Sequence, residues 1–137
     1  MGMVYAEITL KNAGDVTAVE RGLDKEQDIR QVTVQAVVDT GAATLVISEE
    51  LRQELGLQMR GTGYARQADN KRILVNVAET VEVHWKNRRM TCEPWVFSDS
   101  GKVLLGAIPL ENMDLIVDPA QQILVGAHGE EEVGCLY

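Results

Sequence analysis

Short runs of β-forming residues, each closed by turn formers, dominate this chain, and no apolar pattern persists long enough for a long helix. Residues 4–10 and 32–38 are rich in Val, Ile and Thr with partial alternation and read as strands, while the charged stretch 20–30 between them reads as a turn or ribbon end. Val81, Val83 and Trp85 alternate with Glu82 and His84, Lys86-Asn87 offers a turn, and Met90, Cys92 and Trp95 return the chain. That pattern predicts a hairpin with one buried face. Ser48 can cap a short helix that carries Glu49 and Glu50 in its first turn, buries Leu51 and Leu55, and stops at Gly56. A second short helix is expected over 109–113. Residues 115–117, the turn Asp118-Pro119-Ala120, and residues 122–125 read as a closing hairpin.

At 137 residues the chain fits a single domain, 1–137, with a core over about 4–125 and a tail over 126–137 in which Glu130, Glu131 and Glu132 are solvated. Its 21 acidic against 13 basic residues give a net charge of −8 with no basic stripe, so no nucleic acid and no membrane partner is expected. No apolar run approaches the length of a membrane span, and no basic-flanked apolar leader is visible, which sets a cytoplasmic expectation. Cys92 and Cys135 are the only cysteines, so two free thiols are expected rather than a disulfide framework. No cofactor and no metal are expected, because no cluster of His and acids stands at ligand spacing. His128, beside the tail glutamates, reads as part of a solvated tail, His84 as solvent-facing, Trp85 and Trp95 as core, and Cys92 as a small buried apolar residue rather than a nucleophile.

One residue breaks this pattern. In Val37-Val38-Asp39-Thr40-Gly41-Ala42 a carboxylate stands where a strand gives way to a turn. An acid bordered by apolar residues loses hydration, at a cost that something must offset. Gly41 lets backbone approach closely there, and Thr40 supplies a hydroxyl without adding charge. Residues 44–47 then form a second apolar strand start leading into the Ser48 helix.

This stretch resembles the active-site loop of the retroviral-type (retropepsin-like) aspartic proteases, an apolar pair followed by D-T-G-A. Two further segments agree in order and spacing. Leu104-Leu105-Gly106, ahead of a short helix, is similar to the family's late apolar-apolar-Gly motif, and residues 61–77, turning near Asp69-Asn70, supply a hairpin of flap length. The resemblance covers roughly residues 4–125 and is closer to the bacterial single-domain members than to the viral ones. It implies an all-β fold: a closed acid-protease barrel with one or two short helices and a β-hairpin flap.

The resemblance further implies a homodimeric aspartic endopeptidase acting on a peptide or protein substrate. Asp39, Thr40 and Gly41 would be catalytic, Asp39 meeting its copy across a two-fold axis. Ala42, Ala43 and the flap residues Tyr64, Ala65, Arg66, Gln67 and Ala68 would bind substrate, and the tail would join the dimer interface. Viral enzymes place a paired Asp and Arg where this chain has Ala43 and Ala107, which implies a differently built dimer edge. Ser98-Asp99-Ser100-Gly101 contains D-S-G, a form used by the second lobe of pepsin-like enzymes, and reads here as a polar turn. A non-proteolytic dimeric module binding a peptide or small ligand in the same cleft is the alternative function.

Overall fold

The computed structural model describes residues 2–97, 101–134 and 136. Its elements run β1 (Val4–Asn12), α1 (Ala13–Glu20), a 3-10 turn (Glu26–Asp28), β2 (Gln31–Val38), β3 (Leu45–Ile47), α2 (Glu49–Glu54), β4 (Met59–Arg66), β5 (Arg72–Ala78), β6 (Val81–Trp85), β7 (Arg88–Cys92), β8 (Trp95–Val96), β9 (Val103–Leu105), α3 (Ala107–Asn112), β10 (Leu115–Asp118) and β11 (Ile123–Gly126). The fold is mostly β, as expected. Ser98, Asp99 and Ser100 of the D-S-G segment, and Cys135, lie outside the described residues.

Nine strands form one sheet in the order β4-β5-β8-β3-β9-β2-β1-β6-β7, and β10-β11 form a separate ribbon. The sheet curls as a half-barrel and its ends, β4 and β7, stay unpaired with each other, so the barrel is less closed than the sequence suggests. The longest seam joins β1 to β2 antiparallel, from Val4↔Val38 to Lys11↔Gln31. Alternation on this seam sends Ile8, Leu10 and Ala36 inward, where Leu45, Ile47, Val81, Val83 and Leu105 complete a core that excludes water. Each buried Val, Leu or Ile among them stabilises the fold by about 1.5–3 kcal/mol. The hairpin turning at Lys86-Asn87 forms as expected, with Lys86 at φ 49° and Val81↔Cys92 to Trp85↔Arg88 in register.

Ser48 caps α2 as expected, its Oγ accepting from the Leu51 N–H at 3.2 Å, and Gly56 follows the helix at φ 66°. The second helix, expected from 109, begins earlier, at Ala107. Helix α1 was not legible at all. It buries no residue, so it carries no apolar periodicity, and its start rests on Asn12, whose Oδ1 accepts from the Asp15 N–H at 3.1 Å. Asn12 is itself buried and donates through Nδ2 to the Leu55 carbonyl at 2.8 Å, tying the end of β1 to the end of α2.

Two groups of polar residues have partners that the sequence does not reveal. His84 is partly exposed, and its Nε2 lies 2.8 Å from Glu82 Oε1. The tail glutamates Glu130, Glu131 and Glu132 are exposed as expected, but their backbone is held. The buried Arg88 guanidinium donates to the carbonyls of Met113 (2.8 Å), Asp114 (2.6 Å), Gly129 and Glu132 (2.6 Å), gathering residues 129–132 against the end of α3. His128 is exposed, and its Nδ1 lies 2.7 Å from the Asp114 carboxylate. Of the two tryptophans expected in the core, Trp85 is buried and Trp95 half-buried.

Candidate active site

The three residues of β9 decide how the site is built. On one edge β9 pairs parallel with β2, matching Val37↔Leu104 and Val38↔Leu105; on the other it pairs antiparallel with β3, matching Leu45↔Leu105 and Val46↔Leu104. The strand that enters the 39–44 loop and the strand that leaves it are thus held apart by the late Leu-Leu-Gly motif. Two segments more than sixty residues apart in sequence become one structure.

Backbone bonds fix the loop on that support. The Asp39 N–H donates to the Leu105 carbonyl at 3.0 Å, and the Ala42 N–H to the Asp39 carbonyl at 3.1 Å. The carbonyls of Ala42 and Ala43 accept from the Ala107 and Ile108 N–H groups at 2.8 and 3.0 Å, satisfying donors that the first turn of α3 cannot satisfy itself. The Asp39 side chain is oriented locally, its Oδ1 accepting from the Gly41 N–H at 2.9 Å. A Cβ on residue 41 would stand 3.2 Å from that same oxygen, so glycine keeps the carboxylate uncrowded. Gly106 is under a harder constraint: a Cβ there would come within 2.5 Å of the Ala42 carbonyl oxygen and 2.8 Å of the Thr44 nitrogen, closer still to the Thr44 oxygen.

Asp39 is half-buried, while Thr40, Gly41 and Ala43 are exposed. Three cavities, of about 420, 580 and 470 Å³, are lined by other parts of the surface, and none of them includes Asp39.

The flap residues are placed differently. β4 and β5 pair from Met59↔Ala78 to Arg66↔Arg72 and join the sheet only where Asn76 and Val77 meet β8. The turn closes through Gln67 N–H to Lys71 carbonyl at 2.8 Å with Asn70 at φ 68°, and Arg66 Nη1 donates to the Asn70 carbonyl at 2.9 Å. Tyr64 is exposed, its ring covered by the Arg72 guanidinium 4.4 Å from the centroid. Among the described residues no hydrogen bond joins 64–68 to the 39–43 loop. The structure thus unites Asp39, Thr40, Gly41, Ala42 and Ala43 with Leu104, Leu105 and Gly106, and leaves Tyr64, Ala65, Arg66, Gln67 and Ala68 on a separate projecting hairpin.

Thr44 escaped the sequence reading. It is buried behind the loop and hydrogen-bonds the Cys92 thiol. Desolvation nevertheless dominates there and pushes Cys92 up to about 11, so the thiol stays protonated at neutral pH. Among the described residues no group of His, Cys, Asp and Glu is arranged to hold a metal ion.

A sequence model described as gag-polyprotein putative aspartyl protease matches residues 26–112, more than half of the chain and the whole span from β2 to α3. The chain belongs to this aspartyl protease family. Among solved structures it is similar to the retroviral protease-like domain of Ddi1 from Leishmania major, with 16% identity and a TM-score of 0.56 over 91% of this chain and 88% of that one. It also matches a retropepsin-like aspartic protease from Rickettsia conorii at 18% identity and a TM-score of 0.44, over 86% of this chain and 89% of that one. The first likeness bears on the fold alone, and it agrees with the retropepsin-like architecture. No curated protein sequence matches the chain.

Proposed function

We propose that this member of the aspartyl protease family is a homodimeric endopeptidase that hydrolyses peptide bonds with a water held between two Asp39 carboxylates, one from each subunit. The observation that carries this reading is the support of the Asp39-Thr40-Gly41 loop by Leu105 and Gly106, which leaves Asp39 half-buried beside an exposed Thr40 and Gly41. One chain supplies one such carboxylate. A second copy related by a two-fold axis supplies the other.

Two carboxylates about 3 Å apart share one proton, as in aspartic proteases generally. The ionised member takes a proton from water as it attacks the scissile carbon, while the protonated member gives its proton to the carbonyl oxygen. Collapse of the resulting diol returns a proton to the amide nitrogen and releases amine and acid. Thr40 braces the paired loops, the exposed Gly41 backbone and the neighbouring Ala42 and Ala43 offer main-chain contacts, and the flap from Tyr64 to Ala68 closes over an extended peptide.

Because the pair must hold one proton, hydrolysis is expected to be fastest below neutral pH. Initial rates on a fluorogenic peptide between about pH 4 and 9 test this. A falling limb toward alkaline pH supports the dyad, and a rate still climbing at pH 9 contradicts it.

A further inference from the structure

The β4-β5 hairpin reverses the charge of the chain around it. Between 59 and 78 it carries Arg60, Arg66, Lys71 and Arg72 against one acid, Asp69, while the remaining residues hold nine basic and twenty acidic side chains. Arg60 lies 3.6 Å from Glu93, but among the described residues Arg66, Lys71 and Arg72 pair with no carboxylate. Arg66 and Arg72 stand directly opposite each other in the register, an arrangement of like charges that costs the hairpin stability. The fold gains nothing from it.

The pairs Thr62↔Asn76, Tyr64↔Leu74 and Arg66↔Arg72 alternate with Gly63↔Val75 and Ala65↔Ile73, so the two sets occupy opposite faces. Val75, on the second face, is buried at 4% exposure, whereas Tyr64 and Leu74, on the first, are 66% and 58% exposed. The exposed face therefore joins an apolar pair to two arginines. Both arginines are positioned: Arg66 Nη1 donates to the Asn70 carbonyl at 2.9 Å and to its Oδ1 at 3.2 Å, and the Arg72 guanidinium lies over the Tyr64 ring, 4.4 Å from its centroid. Tyr and Arg are the residue types that carry much of the binding energy in protein contacts. We propose that this face is a docking surface for an acidic segment of a partner polypeptide, which sets an apolar side chain against Tyr64 and Leu74 and carboxylates against Arg66 and Arg72.

Charge selects this occupant. A long polyanion such as nucleic acid would run on from the hairpin over a chain whose other residues are mostly acidic among their charges, whereas a short acidic segment ends where the arginines end. The chain's own acidic residues 130–132 are engaged elsewhere, because Arg88 on β7, at the opposite end of the sheet from β4, holds the carbonyls of Gly129 and Glu132. Docking on this face requires no hydrolysis, so it stands or falls independently of the protease reading.

The experiment is fluorescence anisotropy on the full chain carrying Asp39→Asn, so that no cutting interferes, with fluorescein-labelled peptide pools of about 10 residues at about 50 mM salt. Every position of the first pool is a mixture of Glu, Leu, Tyr and Ser; the second pool has Gln in place of Glu, and the third has Lys. The Glu pool is expected to bind about 10-fold more tightly than the Gln pool, and raising the salt to about 300 mM to shrink that margin. Arg72→Glu should abolish the margin without lowering the urea midpoint, because it places a carboxylate opposite Arg66. Arg21→Glu, the same change of charge at an exposed site beyond α1, should keep the margin within about twofold. Equal binding of the Glu and Gln pools, a margin that survives in folded Arg72→Glu, or one that Arg21→Glu removes as completely would each overturn the surface. A single-stranded oligonucleotide bound as tightly as the Glu pool would reassign it to nucleic acid, and an altered mass of Arg72→Glu in sedimentation equilibrium would reassign it to a second copy of the chain; either result overturns the proposal.

Discussion

The backbone N–H of Asp39 donates to the carbonyl of Leu105 at 3.0 Å. Through this bond the acid at the end of β2 is held by a strand that arrives late in the chain, and the loop cannot take up its shape until both segments have met. The geometry of the Asp39 loop is consequently a tertiary property, although each half is a short local motif.

Gly106 is where that dependence is most exposed to test. Replacing it with alanine would drive a methyl group into the Ala42 carbonyl and the Thr44 backbone, neither of which can swing away as a side-chain end could. Gly106→Ala is expected to cost about 3 kcal/mol or more in urea unfolding, or to abolish soluble expression. Gly63→Ala, with nothing within 4 Å of its added Cβ, should change stability by less than about 1 kcal/mol. Equal midpoints for the two variants would refute the close packing of the two motifs.

Arg88 should act on the tail rather than on the sheet. Its guanidinium satisfies carbonyls of Met113, Asp114, Gly129 and Glu132, and its removal leaves several acceptors without a donor. Arg88→Met is expected to lower stability by about 2–5 kcal/mol and to make residues 126–134 the first site of limited proteolysis. An unchanged cleavage pattern would show that the clasp does not hold the tail.

Cys92 gives a pH dependence with a fixed sign. Burial raises its folded value to about 11 from an ordinary 9.0, so between those values the folded chain holds a proton that the unfolded chain has lost. Its contribution to stability is complete below pH 9 and declines as the pH climbs toward 11. In a Cys135→Ser background, alkylation at pH 8 is expected to be slow in the native protein and fast in urea, and stability should fall less steeply above pH 9 once Cys92→Ala is added. Rapid native alkylation would contradict the burial of this thiol.

Much of the fold could be read because strand alternation, the Ser48 cap and the Lys86-Asn87 turn are local signals. The pairing of Leu104-Leu105-Gly106 with the Asp39 loop was legible only through resemblance, since nothing in 103–105 states that β9 will enter between β2 and β3. Helix α1 was missed because Asn12 caps a helix with no buried face. The role of Arg88 was hidden for a different reason: an arginine after a hairpin turn reads as solvated, and only the return of residues 129–132 supplies the carbonyls that make its burial tolerable.

The most direct measurement is cleavage of a diverse peptide library by the purified protein at about pH 4 to 7, with Asp39→Asn in parallel. Wild type is expected to produce a consistent set of cuts, and Asp39→Asn, folded and dimeric, to lose them by about 1,000-fold or more. Cuts that persist undiminished in Asp39→Asn, or a folded wild-type dimer that cuts nothing across this range, would contradict hydrolysis at paired Asp39 carboxylates and favour a dimeric module that binds peptides without cleaving them.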